Sequence, residues 1–377
     1  MRARALLFLL LATFAIGLAR SGHEQPTYPS YYPQEIEITT VEPGAAADLL
    51  LTGKLHAYLG AVPPLVRTSP DGIGFIESLG SLVVVRLNPA SAFVADEATA
   101  CAAAGAVVRG IAARAGSSSM TVHPYPITPW HGDYLAHVDR VEAERARLLA
   151  DDGPPFRERL RVRAHGELAQ NLVPRQWLAD AADWDVEVEE VSVARLMAAS
   201  AVALNGWLGP TAIRAGWFHA YRLLGGSPFP EKAQALLGRL QAAESDSSVE
   251  RINLERELVR SLLVGCRNIV AGYTVKREPF NAQYSAGIEN ISYDALEGLS
   301  SPMFLRTVKL KDFPWNGWLQ LGVATPPHSA WNPVGGFSDP FGRLAWYALS
   351  DAAAIPSPYE AAWTLNRLSE VEVTPPK

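Results

Sequence analysis

Two hydrophobic periods alternate along this chain, and their order predicts helices laid over a mixed sheet. Glu35 to Thr40 sets Ile36 and Ile38 against polar neighbours, the two-residue period of a half-buried strand. Pro43-Gly44 punctuates it, Ala45 to Thr52 reads as a short helix ended by Gly53, and Leu55 to Leu59 returns as a strand. Gly80 to Leu87 (GSLVVVRL), a β-branched run closed by Asn88-Pro89, is the strongest buried-strand candidate. Asp96 caps a helix running to Arg114 and stopping at Gly116. This order of elements fits an α/β layer.

Residues 117–131 (SSSMTVHPYPITPWH) form a Ser/Pro-rich loop, followed by a polar helix from Tyr134 to Ala150. Asp151 to Pro155 (DDGPP) is the clearest break, and it divides an α/β lobe at 35–150 from a second at 156–377. Beyond it, Arg159 to Ala164 reads as a strand. Val186 and Val188 alternate with Glu187 and Glu189 in another, and Ser192 caps a helix through Val202. After a second break at Ala243 to Ser248, Ser247-x-x-Glu250 makes a capping box. Val249, Ile252, Val259, Leu262 and Leu263 give that helix an apolar stripe ending at Gly265. Ile269 to Lys276 and Met303 to Lys311 read as strands, the latter with Phe304, Val308 and Leu310 on one face. The C-terminal region is Trp-rich, with Trp315, Trp318, Trp331, Trp346 and Trp363. Asn-Gly-Trp-Leu occurs at 205–208 and 316–319, each copy read as a turn that plants its Trp against the core.

The N-terminus reads as an address. Arg2 and Arg4 precede an apolar run, Ala5 to Ala19, that ends in the small-x-small pattern Gly17-Leu18-Ala19, so residues 1–19 are expected to be a signal peptide. The other reading is an uncleaved anchor, for which fifteen residues are short against the about 20 a bilayer needs. Residues 20–34, rich in Pro and Tyr, form an extended lead-in. The expected location is periplasmic or secreted. With a net charge of −6 over 377 residues, a nucleic-acid partner is disfavoured. Only two cysteines are present, Cys101 in an Ala-rich helix and Cys266 after a helix-ending Gly. In an oxidising compartment they can form one bridge; otherwise they are buried thiols acting as small hydrophobes.

Ala47 to Tyr58 (ADLLLTGKLHAY) looks like the helix-Gly-strand step of periplasmic type II solute-binding proteins. Phe75 to Leu87 (FIESLGSLVVVRL) resembles the strand that follows it there. The likeness covers about 40 residues and has one clear departure, His56 where that family usually carries Asp. It implies two lobes with a small-molecule ligand in the crevice between them and a membrane transporter as partner. His56 is then a ligand-binding candidate.

The sharpest chemical cluster is His123, His131, Asp133 and His137. Imidazoles with a carboxylate suit zinc, copper or iron, and a metal-dependent exported enzyme is the alternative function. The competing reading has His131 and Asp133 capping a helix start while His137 faces solvent. His328 and Trp331, in a Pro-walled loop, could stack on a ligand or simply pack the loop down. Glu289, Asp294 and Glu297 are the acid–base carboxylate candidates, and Asp294 and Glu297 at helical spacing equally fit a solvated face. There is no Gly-x-Ser-x-Gly elbow, no dinucleotide fingerprint and no phosphate loop. The expected function is an exported small-molecule-binding protein with no established cofactor.

Overall fold

The computed structural model describes residues 33–60, 71–116, 120–150, 156, 158–179, 183–200, 214–226, 230–242, 244–312, 317–328, 337, 339–349, 353–358, 362–366 and 368–370. The segment at 1–19 expected to be a signal peptide, the break at 151–155, the Asn-Gly-Trp-Leu copy at 205–208, Trp315 and Trp331 lie outside them.

In chain order the strands are β1 (Glu35–Thr40), β2 (Ala57–Leu59), β3 (Ile73–Leu87), β4 (Met120–Val122), β5 (Val162–His165), β6 (Val186–Ser192), β7 (Asn268–Asn281), β8 (Ile288–Glu289), β9 (Lys309–Leu310), β10 (Trp318–Val323), β11 (Ala354–Pro356) and β12 (Trp363–Leu365). The helices are α1 (Pro43–Leu51), α2 (Glu97–Ala115), α3 (Val138–Leu149), α4 (Glu167–Leu172), α5 (Val193–Ser200), α6 (Gly216–Leu224), α7 (Glu231–Gln241), α8 (Ser248–Leu263), α9 (Pro302–Thr307) and α10 (Pro340–Leu349). The protein is a mixed α/β structure, as its periods predict. No helix among the described residues is long and apolar enough to cross a membrane.

One sheet runs β1-β10-β2-β7-β3-β6-β5, with β4 also on β7. Its backbone is the long antiparallel pair β3 and β7, which stay together from Ile73/Asn281 to Arg86/Asn268. The pair changes company halfway. Its Ile73 and Asn281 end is flanked by β2, β10 and β1, its other end by β4, β6 and β5. The register slips between Leu79 and Leu82, where β3 carries one extra residue, and again beside Val83. Such bulges increase twist and turn the ladder.

The apolar core divides at the same place. A large cluster draws on residues 79–273 plus Leu296, whereas two smaller ones draw on residues 41–76 and 288–344. The middle of the chain thus forms one lobe, and the described segments 41–76 and 288–344 on either side of it together form the other. The chain passes between them twice, on β3 and on β7. Residues on both sides of 151–155 feed the large cluster and pair in the one sheet.

Local signals explain most elements. Asp96 accepts from Thr99 N (2.9 Å) at the start of α2, and Ser192 accepts from Arg195 N (3.1 Å) at the start of α5. At α8 Ser247 accepts from Glu250 N (3.2 Å), but the Glu250 carboxylate turns to the Asp246 amide (2.8 Å) rather than to that of Ser247. The α8 stripe also differs from expectation. Leu254, Leu258, Val259, Leu262 and Leu263 are buried, while Val249 is 66% exposed and Ile252 is exposed too. The stretch expected as a strand from Met303 is helix α9, because Ser301 caps it and Pro302 occupies its first position. Phe304, Val308 and Leu310 are buried all the same. Trp318, expected against the core, stands 60% exposed on β10. The loop at 117–131 yields a strand, β4, which lies on β7 at Gly272.

Cys101 on α2 and Cys266 just after α8 form a disulfide, with Cα atoms 4.9 Å apart across 165 residues of sequence. Of the two readings open for these thiols, the bridge is the one found.

Gly272 is where β4 comes closest, since a Cβ there would overlap the Thr121 carbonyl oxygen. Gly272→Ala is expected to cost about 1–3 kcal/mol through overpacking against backbone that cannot yield. Urea unfolding at neutral pH measures it.

Candidate functional site at the waist

Where β3 and β7 slip, backbone groups leave the ladder and polar side chains take their place. The Ser81 amide donates to Thr274 Oγ1 (3.0 Å), and Ser81 Oγ lies 2.8 Å from Glu190 Oε1 and 2.7 Å from Thr274 Oγ1. Two residues along β7 from Thr274, Lys276 Nζ donates to the Glu297 carbonyl (3.1 Å) and pairs with Glu278 Oε1 (3.2 Å). Glu278 is buried and accepts from the Gly60 amide and the Leu299 amide, both at 2.9 Å. Gly298 adopts φ +65°, and a Cβ there would run into the Glu278 carboxylate, so glycine is required on both counts.

The centre of this waist is an ion cluster at the boundary of the lobes, where the turn at 294–298 leads from the middle core (Leu296) to the other core (Leu299). Arg214, from the segment leading into α6, donates to Asp294 Oδ2 and to Glu297 Oε2 (2.5 Å). Asp294 is fully buried, and its other oxygen accepts from the Leu296 (2.8 Å) and Glu297 (3.0 Å) amides. These bonds favour the ionised form. Burial nonetheless pushes the Asp294 carboxyl up, with Arg214 pulling against it. Burial works to lower the Arg214 pKa, but Asp294 and Glu297 outweigh it and hold the guanidinium above its ordinary value. Arg343 on α10 reaches Glu297 at 3.8 Å. Nearby Tyr347 is pushed up to about 12, by burial first and then by Glu297. Lys276, Glu297, Arg343 and Tyr347 are all only partly buried. The cluster therefore pairs three cations (Arg214, Lys276, Arg343) with three carboxylates (Glu278, Asp294, Glu297) around a rim that solvent reaches.

Of the carboxylates proposed from sequence, Asp294 and Glu297 meet here around Arg214, held by a turn and not a helix, while Glu289 is exposed on β8. Arg214 lies 80 residues from Asp294, so no local spacing announces the pair.

The imidazole cluster sits next door, in the middle lobe. Asp133 does not cap its own helix; its carboxylate accepts from Gly216 N (3.0 Å) and Trp217 N (3.2 Å), capping α6 and fixing the segment that carries Arg214. His131 Nδ1 accepts from the Thr128 amide (3.0 Å), which places its proton on Nε2, and Nε2–H donates to His219 Nδ1 at 2.9 Å. His131 and His219 are buried, and desolvation pushes the His131 pKa down to about 4. His137 is fully buried, contrary to the solvent-facing alternative; its Nδ1 shares a hydrogen bond with Tyr125 Oη (2.9 Å), and burial lowers its pKa. His123 Nε2 meets the Ile127 carbonyl at 2.9 Å. No group of three or more His, Cys, Asp or Glu among the described residues is arranged to hold a metal ion. His219, on α6, is the partner the sequence did not reveal.

The remaining candidates lie apart. His56 Nδ1 accepts from the Gln320 amide (2.9 Å), splicing the start of β2 to β10, and burial lowers its pKa. His328 is exposed; its amide donates to Asp339 Oδ2 (2.7 Å) and its Nδ1 lies 3.0 Å from the Pro326 carbonyl. Trp331 lies outside the described residues.

No protein-family model matches the chain, and no curated protein matches it. Several solved structures resemble it at low identity. They include the ABC transporter substrate binding protein CtaP from Listeria monocytogenes (12% identity, TM-score 0.43, 71% of this chain and 58% of that one). Another is the oligopeptide-binding protein AppA from Bacillus subtilis in complex with a nonapeptide (12%, 0.42, 71% and 58%). A third is the ABC transporter-associated periplasmic binding protein DppA from Helicobacter pylori in complex with a peptide (11%, 0.42, 72% and 55%). The chain spans a little over half the length of these proteins.

Arg214→Met is expected to cost about 3–5 kcal/mol, because it leaves Asp294 buried without its counter-charge, and adding Asp294→Asn should recover part of that loss. Urea unfolding of both variants tests this. A second expectation concerns acid. His131 titrates near 6.5 when unfolded and about 4 when folded, so the unfolded chain takes up the proton first. Stability is full above pH 6.5 and falls as pH drops toward 4, by ~3 kcal/mol from this residue. A His131→Gln variant should lose visibly less stability over that window in a pH series of urea melts.

Proposed function

We propose that this protein is an exported receptor for a small polar molecule, which it holds at the waist between its lobes and delivers to a membrane transporter. One observation carries the reading: Arg214 of the middle lobe meets Asp294 and Glu297, on the turn that leads from the middle core at Leu296 to the other core at Leu299, at the place where, among the described residues, two strands join the lobes. A two-strand joint lets lobes move about a few residues. An ionic contact across the joint gives closure a set geometry while remaining breakable. The partly buried Lys276, Glu297, Arg343 and Tyr347 offer a ligand both signs of charge and an aromatic hydroxyl, polar groups of the kind that orient a small molecule in its site. The N-terminal Arg2/Arg4 and Ala5–Ala19 pattern supports export, as does the disulfide, which persists in oxidising compartments. The likeness of residues 47–58 and 75–87 to type II solute-binding proteins points the same way.

The test is a thermal-shift screen of amino acids, short peptides, sugars, organic acids and metal chelates. At least one should raise the melting temperature, since ligand at 100 times its Kd adds ~2.7 kcal/mol. Calorimetric titration of that ligand should show Arg343→Ala weakening it about tenfold or more, the loss of a charge-assisted bond, with an unchanged melt in its absence. X-ray scattering should show the radius of gyration shrinking on binding. A folded sample that answers none of these classes would remove the reading.

A further inference from the structure

The disulfide lies within the middle lobe, away from the waist, and its surroundings differ from those of a purely structural cross-link. Cys266 has φ +52°, in the left-handed region, directly after Gly265 at φ +77°. A non-glycine residue held there is strained. Arg147, on α3, places Nη1 2.7 Å from Cys266 Sγ and 3.5 Å from Cys101 Sγ. The two sulfurs are not equivalent: Cys266 is buried, whereas Cys101 is partly exposed on α2. The segment carrying Cys266 also has room to move. Nothing lies within 4 Å of where a Cβ on Gly265 would sit, and a cavity of about 340 Å³ is lined by Glu97, Ala100, Val264, Gly265 and Arg267, among others.

We propose that Cys101–Cys266 is an exchangeable disulfide, with Cys101 as the site of attack by a low-molecular-weight thiol and Cys266 as the leaving thiolate that Arg147 stabilises. The external thiolate bonds to Cys101 Sγ; the S–S bond breaks and its electron pair leaves on Cys266 Sγ, so charge is conserved. The Cys266 thiolate then either returns to Cys101 Sγ and expels the external thiolate, or persists while a second external thiolate bonds to the first one's sulfur and Cys101 leaves as a thiolate. The latter outcome oxidises two external thiols to their disulfide and leaves both cysteines reduced. A guanidinium beside a sulfur favours its thiolate, and a thiolate of lower pKa leaves faster. Glu144, bonded to Arg147 Nη2 at 2.5 Å from the same helix, holds the guanidinium in place and tempers its charge. Releasing the bridge lets Cys266 leave its left-handed conformation, which further favours the reduced form. This reading is independent of the ligand at the waist.

The purified chain is equilibrated in glutathione buffers of graded reduced-to-oxidised ratio, quenched in acid, alkylated and weighed intact. Wild type should reach the dithiol within the series, through a glutathione adduct that peptide mapping places on Cys101. Arg147→Gln should need a buffer about tenfold more reducing in equilibrium constant, ~30 mV for the two-electron couple, whereas Arg147→Lys should keep most of the wild-type midpoint. Melts of the oxidised variants check that both are folded. Alkylation of the reduced protein across pH gives a readout that a merely structural Arg147 would not move, and its profile should shift to higher pH in Arg147→Gln. A pair that stays oxidised through the whole series, an adduct on Cys266, or a midpoint and profile unmoved by Arg147→Gln would overturn the proposal.

Discussion

Among the described residues two strands, β3 and β7, carry the chain between its lobes, and the polar groups at the waist follow from what those strands cannot do there. The ladder keeps both lobes in one twisted sheet, but it does not continue in register. Instead β3 inserts an extra residue between Leu79 and Leu82, and the amide of Ser81 must find Thr274 Oγ1 in place of a carbonyl. Burying groups without partners is costly, so the gap is filled by side chains that satisfy one another: Ser81, Thr274, Glu190, then Lys276 and Glu278. Arg214 closes the arrangement from the other side.

The position of Arg214 is itself prepared inside the middle lobe. Asp133 caps α6 from a distant loop, and a Cβ on Gly216 would collide with Ile127 and with Asp133 Oδ1, so loop and helix start fit tightly. His131 and His219 tie the same loop to the same helix through nitrogens whose protons are fixed by the Thr128 amide. His123, His131 and His137 thus each hydrogen-bond within the lobe's polar interior, and burial lowers the pKa of all three. A buried hydrogen-bonded network of this kind favours one conformation over near alternatives. It makes the guanidinium at the waist a fixed point for the opposite lobe to meet.

How much of this was legible depends on range. Asp96, Ser192 and Ser247 cap the helices expected of them because capping is decided within four residues. Ser301-Pro302 carried an equally local signal, yet the alternation of Phe304, Val308 and Leu310 masked it; a short helix running into a short strand buries those three residues as well as one strand would. Val249 and Ile252 show the limit of the apolar stripe, since a helix end beyond the edge of the core leaves its hydrophobes outside. The waist was legible only as isolated carboxylates. Asp294 and Glu297 were visible, but Arg214 and His219 acquire their meaning from partners 80 and 88 residues away.

The two kinds of long-range tie in this molecule are divided by location. The covalent bridge joins α2 to the start of β7, so both of its ends belong to the middle lobe and it puts no restraint on the waist. Across the waist the ties are hydrogen bonds and ion pairs, with Arg214 to Asp294 the most deeply buried of them. A buried ion pair contributes little net stability over an apolar contact of the same shape, because desolvation offsets most of the attraction. What it does supply is direction, and a large penalty for half-formed states in which one charge is left buried alone. On the receptor reading proposed above, a joint built this way would have two acceptable conditions, closed and paired or open and hydrated, with little between them. Changing the middle lobe's redox state would leave that choice untouched, and changing the charge at the waist would not.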